Sequence, residues 1–149
     1  MRIMIAIWTA FLSIIAFSSN AMCETALPTI SNDVFLLEFD ASTGNISQIT
    51  DMARGRELLT AESATPLWLI EFVDGSVIRA GDAKEFTWKM GNDASHELVL
   101  KWFDFGRQDA PELAVVATVR LDAQDAVSRW RIEVNGLGAQ KLNSVSYPR

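Results

Sequence analysis

DVFLLEFDASTGNISQITD, residues 33–51, contains two apolar segments separated by a short run of turn-forming residues. Phe35, Leu37 and Phe39 alternate with other side chains at a period of two, which is typical of a strand with one buried face. The residues that follow, ASTGN at 41–45, favour a turn, and their glycine suits a backbone position with positive φ. The apolar residues after this turn begin a return strand. The stretch therefore predicts a β-hairpin.

The same alternation recurs along the rest of the chain. Residues 85–90, 96–105, 113–121 and 128–134 each alternate apolar with polar or smaller side chains, and turn residues, most of them with a glycine or aspartate, separate these segments. Residues 141–147 predict one more strand. No segment of this part of the chain sustains helical spacing over three turns. Many short strands at regular intervals predict an all-β, antiparallel sandwich or barrel.

The first 21 residues have the order of a secretory signal peptide. Arg2 supplies a positive start, and an apolar run then leads to small residues of the kind a signal peptidase requires. The run is shorter than the about 20 apolar residues of a membrane-spanning helix. We expect cleavage after Ala21, or as late as Cys23, and a secreted or periplasmic location. The signal helix thus occupies residues 1–21, and the β-sandwich domain occupies residues 22–149.

Cys23 is the single cysteine of the chain, and His96 is the single histidine. A lone cysteine beside the cleavage point leaves a lipid anchor open, although the bulky Met22 before it disfavours lipidation. An internal disulfide needs two cysteines, and a cysteine or histidine metal cluster needs several such ligands. We therefore expect neither a metal nor a cofactor, and a domain that is held together by burial alone.

The charge balance restricts the classes of partner. The chain has 13 basic and 19 acidic residues, and its formal net charge is −6 at pH 7. Removal of the signal segment takes away only one charged residue, the positive Arg2, so the exported chain remains acidic. Binding to nucleic acid depends on clustered basic residues. We therefore expect no nucleic-acid partner and, after cleavage, no membrane partner.

Three residues are candidates for ligand binding. Glu71 lies inside the apolar run at 67–73, where burial would favour its protonated form and suit an acid role. A solvent-facing position or an ion pair with an arginine is the alternative. Trp68 and Trp88 would stack on sugar rings if they were exposed, whereas the pattern of their strands favours core packing. No catalytic motif is recognised.

Three segments, taken together and in this order, resemble a known group of domains. They are FLLEFDASTGNISQITDMARGRELL at 35–59, ELAVVATVRLDAQDAVSRWRIEVNG at 112–136 and LNSVSYPR at 142–149. The order of strands and turns is similar to that of the N-terminal β-sandwich domains of secreted glycoside hydrolases. These domains belong to the galactose-mutarotase-like β-supersandwich group. The resemblance spans most of the exported chain, and its motifs are structural rather than catalytic.

The resemblance implies a non-catalytic N-terminal module, or a fragment of one, that packs on a C-terminal catalytic domain and contacts glycan. In such hydrolases the catalytic acids lie in a following barrel domain, so no catalytic residue can be carried over. A complete supersandwich is longer than this chain, and the chain stops at Arg149 directly after a predicted strand. We therefore expect a sandwich truncated at its C-terminal end. A stand-alone carbohydrate-binding module and a structural envelope domain without a ligand remain open.

Overall fold

A computed structural model describes residues 27–59, 65–91, 96–124 and 126–149. The predicted signal helix lies outside these residues. Within them the chain forms eleven strands and a single 3-10 turn at Ala80–Asp82. The strands, numbered in chain order, are β1 (Thr29–Ser31), β2 (Phe35–Phe39), β3 (Ile46–Asp51), β4 (Arg56–Leu59), β5 (Leu69–Phe72), β6 (Val77–Arg79), β7 (Glu85–Met90), β8 (Glu97–Phe103), β9 (Ala114–Leu121), β10 (Ser128–Asn135) and β11 (Leu142–Ser146).

The strands form three antiparallel sheets. The first sheet has the order β1-β2-β3-β4, and the second has the order β10-β9-β8-β7. A smaller third sheet has the order β11-β5-β6, so the last strand pairs with a strand from the middle of the chain. Side chains from all three sheets join one core. The prediction of an all-β, antiparallel sandwich is confirmed.

The alternation predicted for the second sheet is confirmed strand by strand. Every second residue of β9 is buried, from Val115 to Leu121, and Leu113 just before the strand is buried with them. β9 and β10 pair without a register shift over eight residues, from Ser128 opposite Leu121 to Asn135 opposite Ala114. On β10 the exposed residues alternate with partly buried ones. A side-chain period of two therefore places one face on the core and leaves the other in solvent.

The predicted hairpin forms between β2 and β3. Phe39 pairs with Ile46 across a turn at residues 40–45, and a register shift lies next to it, between Glu38 and Phe39. At the far end of β3, the carboxylate of Asp51 is buried and forms an ion pair with Arg54 at 2.8 Å. This ion pair stabilises the second turn, which leads into β4.

The hairpin turn is a buried contact between sheets rather than a solvent-exposed loop. The indole nitrogen of Trp102, on β8, donates a hydrogen bond of 2.6 Å to the carbonyl oxygen of Thr43. The next residue, Gly44, is buried and has φ of +67°. The side chain of Asn45 then accepts a hydrogen bond of 2.9 Å from the backbone nitrogen of Leu67, just before β5. Three consecutive residues thus connect the first sheet to the other two.

The turn requires glycine at position 44 for two reasons. A φ of +67° strains any residue that carries a Cβ. A Cβ at this position would also lie 2.6 Å from Cζ2 of Trp102 and 2.7 Å from Cζ of Phe86, well inside contact distance. Gly55 offers a comparison, because it has φ of +59° but has nothing within 4 Å of a Cβ placed there.

We expect Gly44→Ala to lower the free energy of unfolding by about 3 kcal/mol, since backbone strain and overpacking add. The matched control, Gly55→Ala, should lower it by about 1 kcal/mol, from backbone strain alone. Urea unfolding of both variants at neutral pH measures the difference. Equal losses in the two variants would show that the contact with Trp102 and Phe86 does not matter.

Candidate functional site

An apolar cleft opens between the first and second sheets. Its volume is about 300 Å³. Apolar side chains from β2, β3, β9 and β10 line it, together with Pro148 beyond β11, and Ser128 and Arg149 contribute its polar atoms. Binding sites that accept another apolar surface have this composition, with a few polar groups at the margin. The cleft is therefore the strongest candidate for a binding site in the described part of the chain.

Trp130 forms one wall of this cleft. Its indole nitrogen donates a hydrogen bond of 2.7 Å to the hydroxyl of Ser128. Its ring contacts Phe39, with centroids 6.2 Å apart, and meets Tyr147 edge-on at 5.7 Å. The ring remains only partly buried because β10 is the edge strand of its sheet. The packing on both sides thus fixes an aromatic surface at the margin of the cleft.

Tyr147 supports Trp130 from behind. Burial raises the pKa of its phenol above the ordinary value of 10, so the hydroxyl stays neutral at physiological pH. No group in the described residues lies within hydrogen-bond distance of this buried hydroxyl. A buried polar group without a partner destabilises the fold. The ring of Tyr147 thus packs on Trp130 while its hydroxyl makes no hydrogen bond within the described residues.

Trp68, predicted as a sugar-stacking residue, lies in the core. Its exposed fraction is 0%, and its ring meets Trp102 at 5.5 Å and Phe105 at 6.0 Å, both edge-on. The position just before β5 places it between the third sheet and the second. Because neither face of the indole is exposed, a sugar cannot stack on it in this fold. Trp68 is therefore a core residue, as the alternative interpretation of this residue had it.

Glu71 lies on the outer face of the third sheet. Ile70 and Phe72, its neighbours on β5, take the core positions and are fully buried, so alternation turns Glu71 outward. It stands opposite Ser144 of β11, whose hydroxyl donates a hydrogen bond of 3.3 Å to its carboxylate. Glu71 was expected to be buried, but its side chain is partly exposed. Its position agrees with the alternative interpretation, in which Glu71 faces solvent. A role in ligand binding stays a prediction.

Trp88 lies on β7, the other edge strand of the second sheet, and is partly buried. Its ring packs against the core, on the same face as its pairing partner Leu100. The residue also borders a shallow groove of about 400 Å³ on the outer face of that sheet. Thr87, Lys89 and Lys101 supply polar atoms to this groove, while Val99 and Val116 form its floor. Trp68, Glu71 and Trp88 thus occupy three separate environments and do not form one site. Glycan binding by Trp88 stays a prediction.

The carboxylates with displaced pKa values stabilise turns. Hydrogen bonds donated by Ser42 and Thr43 lower the pKa of Asp40 from 3.8 to about 2. Four further aspartates have lowered pKa values because a nearby side chain donates a hydrogen bond to each. These pairs are Asp51 with Arg54, Asp74 with Ser76, Asp109 with Arg107, and Asp122 with Arg120. Groups of this kind are ionised at neutral pH, which suits a structural role rather than general acid catalysis.

Arg107 joins two loops at one end of the sandwich, its own and the one between β5 and β6. Its guanidinium forms an ion pair of 2.8 Å with Asp109 and donates a hydrogen bond of 2.9 Å to the hydroxyl of Ser76. The same group lies over the ring of Phe72, 4.7 Å from its centroid. Hydrogen bonds and ring contact together stabilise this position of the arginine. The cluster is structural, because each charged group is engaged within the protein.

His96 borders a polar recess at the start of β8. The recess has a volume of about 490 Å³ and is also lined by Thr29, Ser31, Asp33 and Met90. The Nδ1 atom of the imidazole is buried and has no hydrogen-bond partner in the described residues. Asn32, also in this recess, uses its side chain for turn contacts with Val34, Phe35 and Asp122. The recess therefore holds a single imidazole beside groups that stabilise a turn.

No three histidine, cysteine, aspartate or glutamate side chains of the described part of the chain lie close enough to hold a metal ion. Over the same residues, no helix is long and apolar enough to cross a bilayer.

The sequence did not identify the cleft. Trp130 belongs to a regular alternation, which predicts a core residue and does not reveal that its strand lies at the edge of a sheet. Pro148 and Arg149 reach the cleft through the pairing of β11 with β5, which joins distant parts of the chain. The sequence feature that could have indicated the cleft is the aromatic residue followed by a proline in SYPR, residues 146–149. Comparison with protein-family models and with curated proteins finds no match for this chain.

We expect Asp40→Asn to lower the free energy of unfolding by about 1 kcal/mol at pH 7, because the turn loses a charged acceptor that is largely exposed. A lowered pKa stabilises the fold above the ordinary value of 3.8, and this contribution is lost as the pH falls towards about 2. The difference between wild type and variant should therefore shrink between about pH 4 and pH 2. Urea unfolding as a function of pH measures it, and a difference that stays constant would contradict the assignment.

Proposed function

We propose that this chain is a non-catalytic N-terminal β-sandwich module, or a fragment of one, from a secreted carbohydrate-active glycoside hydrolase. Its role is to pack on a catalytic domain. The three segments that resemble such modules all fall on the sandwich, at β2–β4, at β9–β10, and at β11 with the residues after it. The resemblance supports the family assignment, and the apolar cleft supports the packing role.

The cleft is the observation that carries the proposal. A sugar-binding site needs several polar groups that bind hydroxyls, together with an exposed aromatic ring. Here the polar atoms come from Ser128 and Arg149, while Phe35, Ile49, Leu121 and the other lining side chains are mostly apolar. Another protein surface satisfies such a lining better than a glycan does. The cleft also presents Trp130, and tryptophan is enriched at the centres of protein interfaces.

The lowered pKa values of the aspartates are consistent with a module whose catalytic residues lie in another domain. Hydrolysis of a glycosidic bond uses two acids, and the general acid needs a raised pKa. In the described residues each aspartate with a displaced pKa has a lowered one, and each accepts a hydrogen bond from its own turn or loop. These groups stabilise the sandwich. A separate catalytic domain would supply the reactive acids.

A stand-alone carbohydrate-binding module is the second candidate, and the groove beside Trp88 is the observation that favours it. Thr87, Lys89 and Lys101 line this groove, and Trp88 stands at its margin with its ring packed on the core side of the strand. An aromatic ring with nearby polar groups can bind a sugar ring and its hydroxyls. The two candidates place binding on different surfaces, so variants of Trp130 and Trp88 separate them.

The test begins with the transcript beyond codon 149. The proposal expects a sequence that encodes a barrel-type hydrolase domain, in frame or displaced by a frameshift. That domain is then expressed separately and titrated with this chain by calorimetry. A transcript without any hydrolase domain would overturn the proposal, and so would a domain that shows no affinity for the chain.

We expect Trp130→Ala to weaken binding to the catalytic domain by about 30-fold, corresponding to about 2 kcal/mol for a central interface tryptophan. The control, Trp88→Ala, should change that affinity less than about threefold. Thermal unfolding of both variants checks that each remains folded. If instead Trp88→Ala abolishes binding to a polysaccharide and Trp130→Ala does not, the carbohydrate-binding candidate replaces the proposal.

A further inference from the structure

β10 is the longest strand at the edge of a sheet in the described part of the chain. All eight of its residues pair with β9 on one side. None of the strands that the structure describes pairs with its other side. Half of the backbone N–H and C=O groups of an edge strand point away from its neighbour and are ready to bind another strand. A regular strand without a bulge is the form of edge that pairs most readily.

The side chains of β10 carry a symmetric pattern about Ile132. Trp130, Ile132 and Val134 turn towards the core and are partly exposed. On the opposite face, Arg131 and Glu133 are exposed and form an ion pair of 2.9 Å along the strand. Each apolar position is thus flanked by polar or charged ones, and the two charges next to Ile132 have opposite signs. Such a pattern is complementary to itself when it is read in reverse.

We propose that two copies of this chain associate through antiparallel pairing of their β10 edges, with a two-fold axis between the two Ile132 residues. In this register Arg131 lies opposite the partner's Glu133, and Glu133 lies opposite the partner's Arg131. On the other face, Trp130 lies opposite the partner's Val134. Opposite charges and apolar pairs that stand directly across from each other stabilise a sheet. The second sheets of the two copies become one continuous sheet of eight strands.

Neighbouring registers are excluded by charge. A two-fold axis at Arg131 places the two copies of that arginine opposite each other, and an axis at Glu133 does the same with the two glutamates. Like charges directly across a pair of strands are destabilising. Axes between these positions would turn the core-facing side chains of one copy to the outer face of the sheet. Among the registers centred on residues 131–133, only the one at Ile132 pairs opposite charges without placing two like charges directly opposite each other.

β7, at the other edge of the same sheet, is the competing surface. It is six residues long and carries Glu85 and Lys89 on its outer face, with Thr87 between them. These charges are also complementary in reverse. β10 is favoured because it is longer and so offers more backbone hydrogen bonds to a second copy. The test must therefore distinguish the two edges, and it does not depend on the proposed function.

Charge reversal tests the pairing. The chain is expressed with its own N-terminal segment, recovered as the host processes it, and studied by sedimentation velocity up to about 1 mM, where weak interfaces populate dimers. Wild type should shift from monomer to dimer with concentration. Arg131→Glu and Glu133→Arg should each weaken association by about tenfold, because each creates two like-charge pairs in the dimer. The double variant should restore association to within about threefold of wild type.

The β7 variants Glu85→Arg and Lys89→Glu are the matched controls, and they should leave association unchanged. Three outcomes would overturn the proposal. The first is a wild type that remains monomeric over the whole concentration range. The second is a double variant that fails to restore association. The third is a loss of association in the β7 variants, which would show that the two copies associate through β7 rather than β10.

A cysteine placed on the two-fold axis tests the register. Ile132→Cys, in a Cys23→Ser background, should form a disulfide-linked dimer on mild oxidation, because directly opposite Cα atoms lie about 5 Å apart. Val134→Cys in the same background is the control. In the proposed register its two copies stand four residues out of step, about 13 Å apart, and should not link. Linking of the control as fast as the axial variant would contradict the register.

Discussion

The fold depends on the contact between the indole of Trp102 and the backbone of the first hairpin turn. The indole donates to the carbonyl oxygen of Thr43, and its ring lies where any side chain at Gly44 would lie. Asn45 then accepts a hydrogen bond from Leu67, so the third sheet joins at the same point. The residue types of this turn are those of an exposed turn, but the turn is the place where the three sheets meet. Its glycine is required by packing as much as by φ.

The sequence predicts the strands and their faces because both are local properties. The alternation in SRWRIEVN, residues 128–135, settles which side chains of β10 face the core without knowledge of its partners. The pairing of strands is not local, and the pairing of β11 with β5 joins residues about seventy positions apart. The apolar run at 67–73 hides its own alternation, since nearly every residue in it is apolar. This is why Glu71 looked buried and in fact lies on the outer face.

The candidate site could not be predicted from the sequence, for a related physical reason. The exposure of a tryptophan depends on whether its strand is central or at an edge, and on what packs across from it. Trp68 has Trp102 and Phe105 against it and is fully buried. Trp130 has Tyr147 on one side but no strand beyond β10 in the described residues, so it remains partly exposed. The sequence around the two tryptophans shows neither the order of the sheets nor the residues that pack across from them.

The two open surfaces make different demands on a partner. The cleft presents side chains, so its partner must supply apolar side chains of matching shape. The edge of β10 presents backbone groups, so its partner must supply a strand. Trp130 belongs to both surfaces, since its ring lines the cleft and its strand forms the edge. The register proposed for two copies places the partner's Val134 opposite Trp130, so the two surfaces share this side chain.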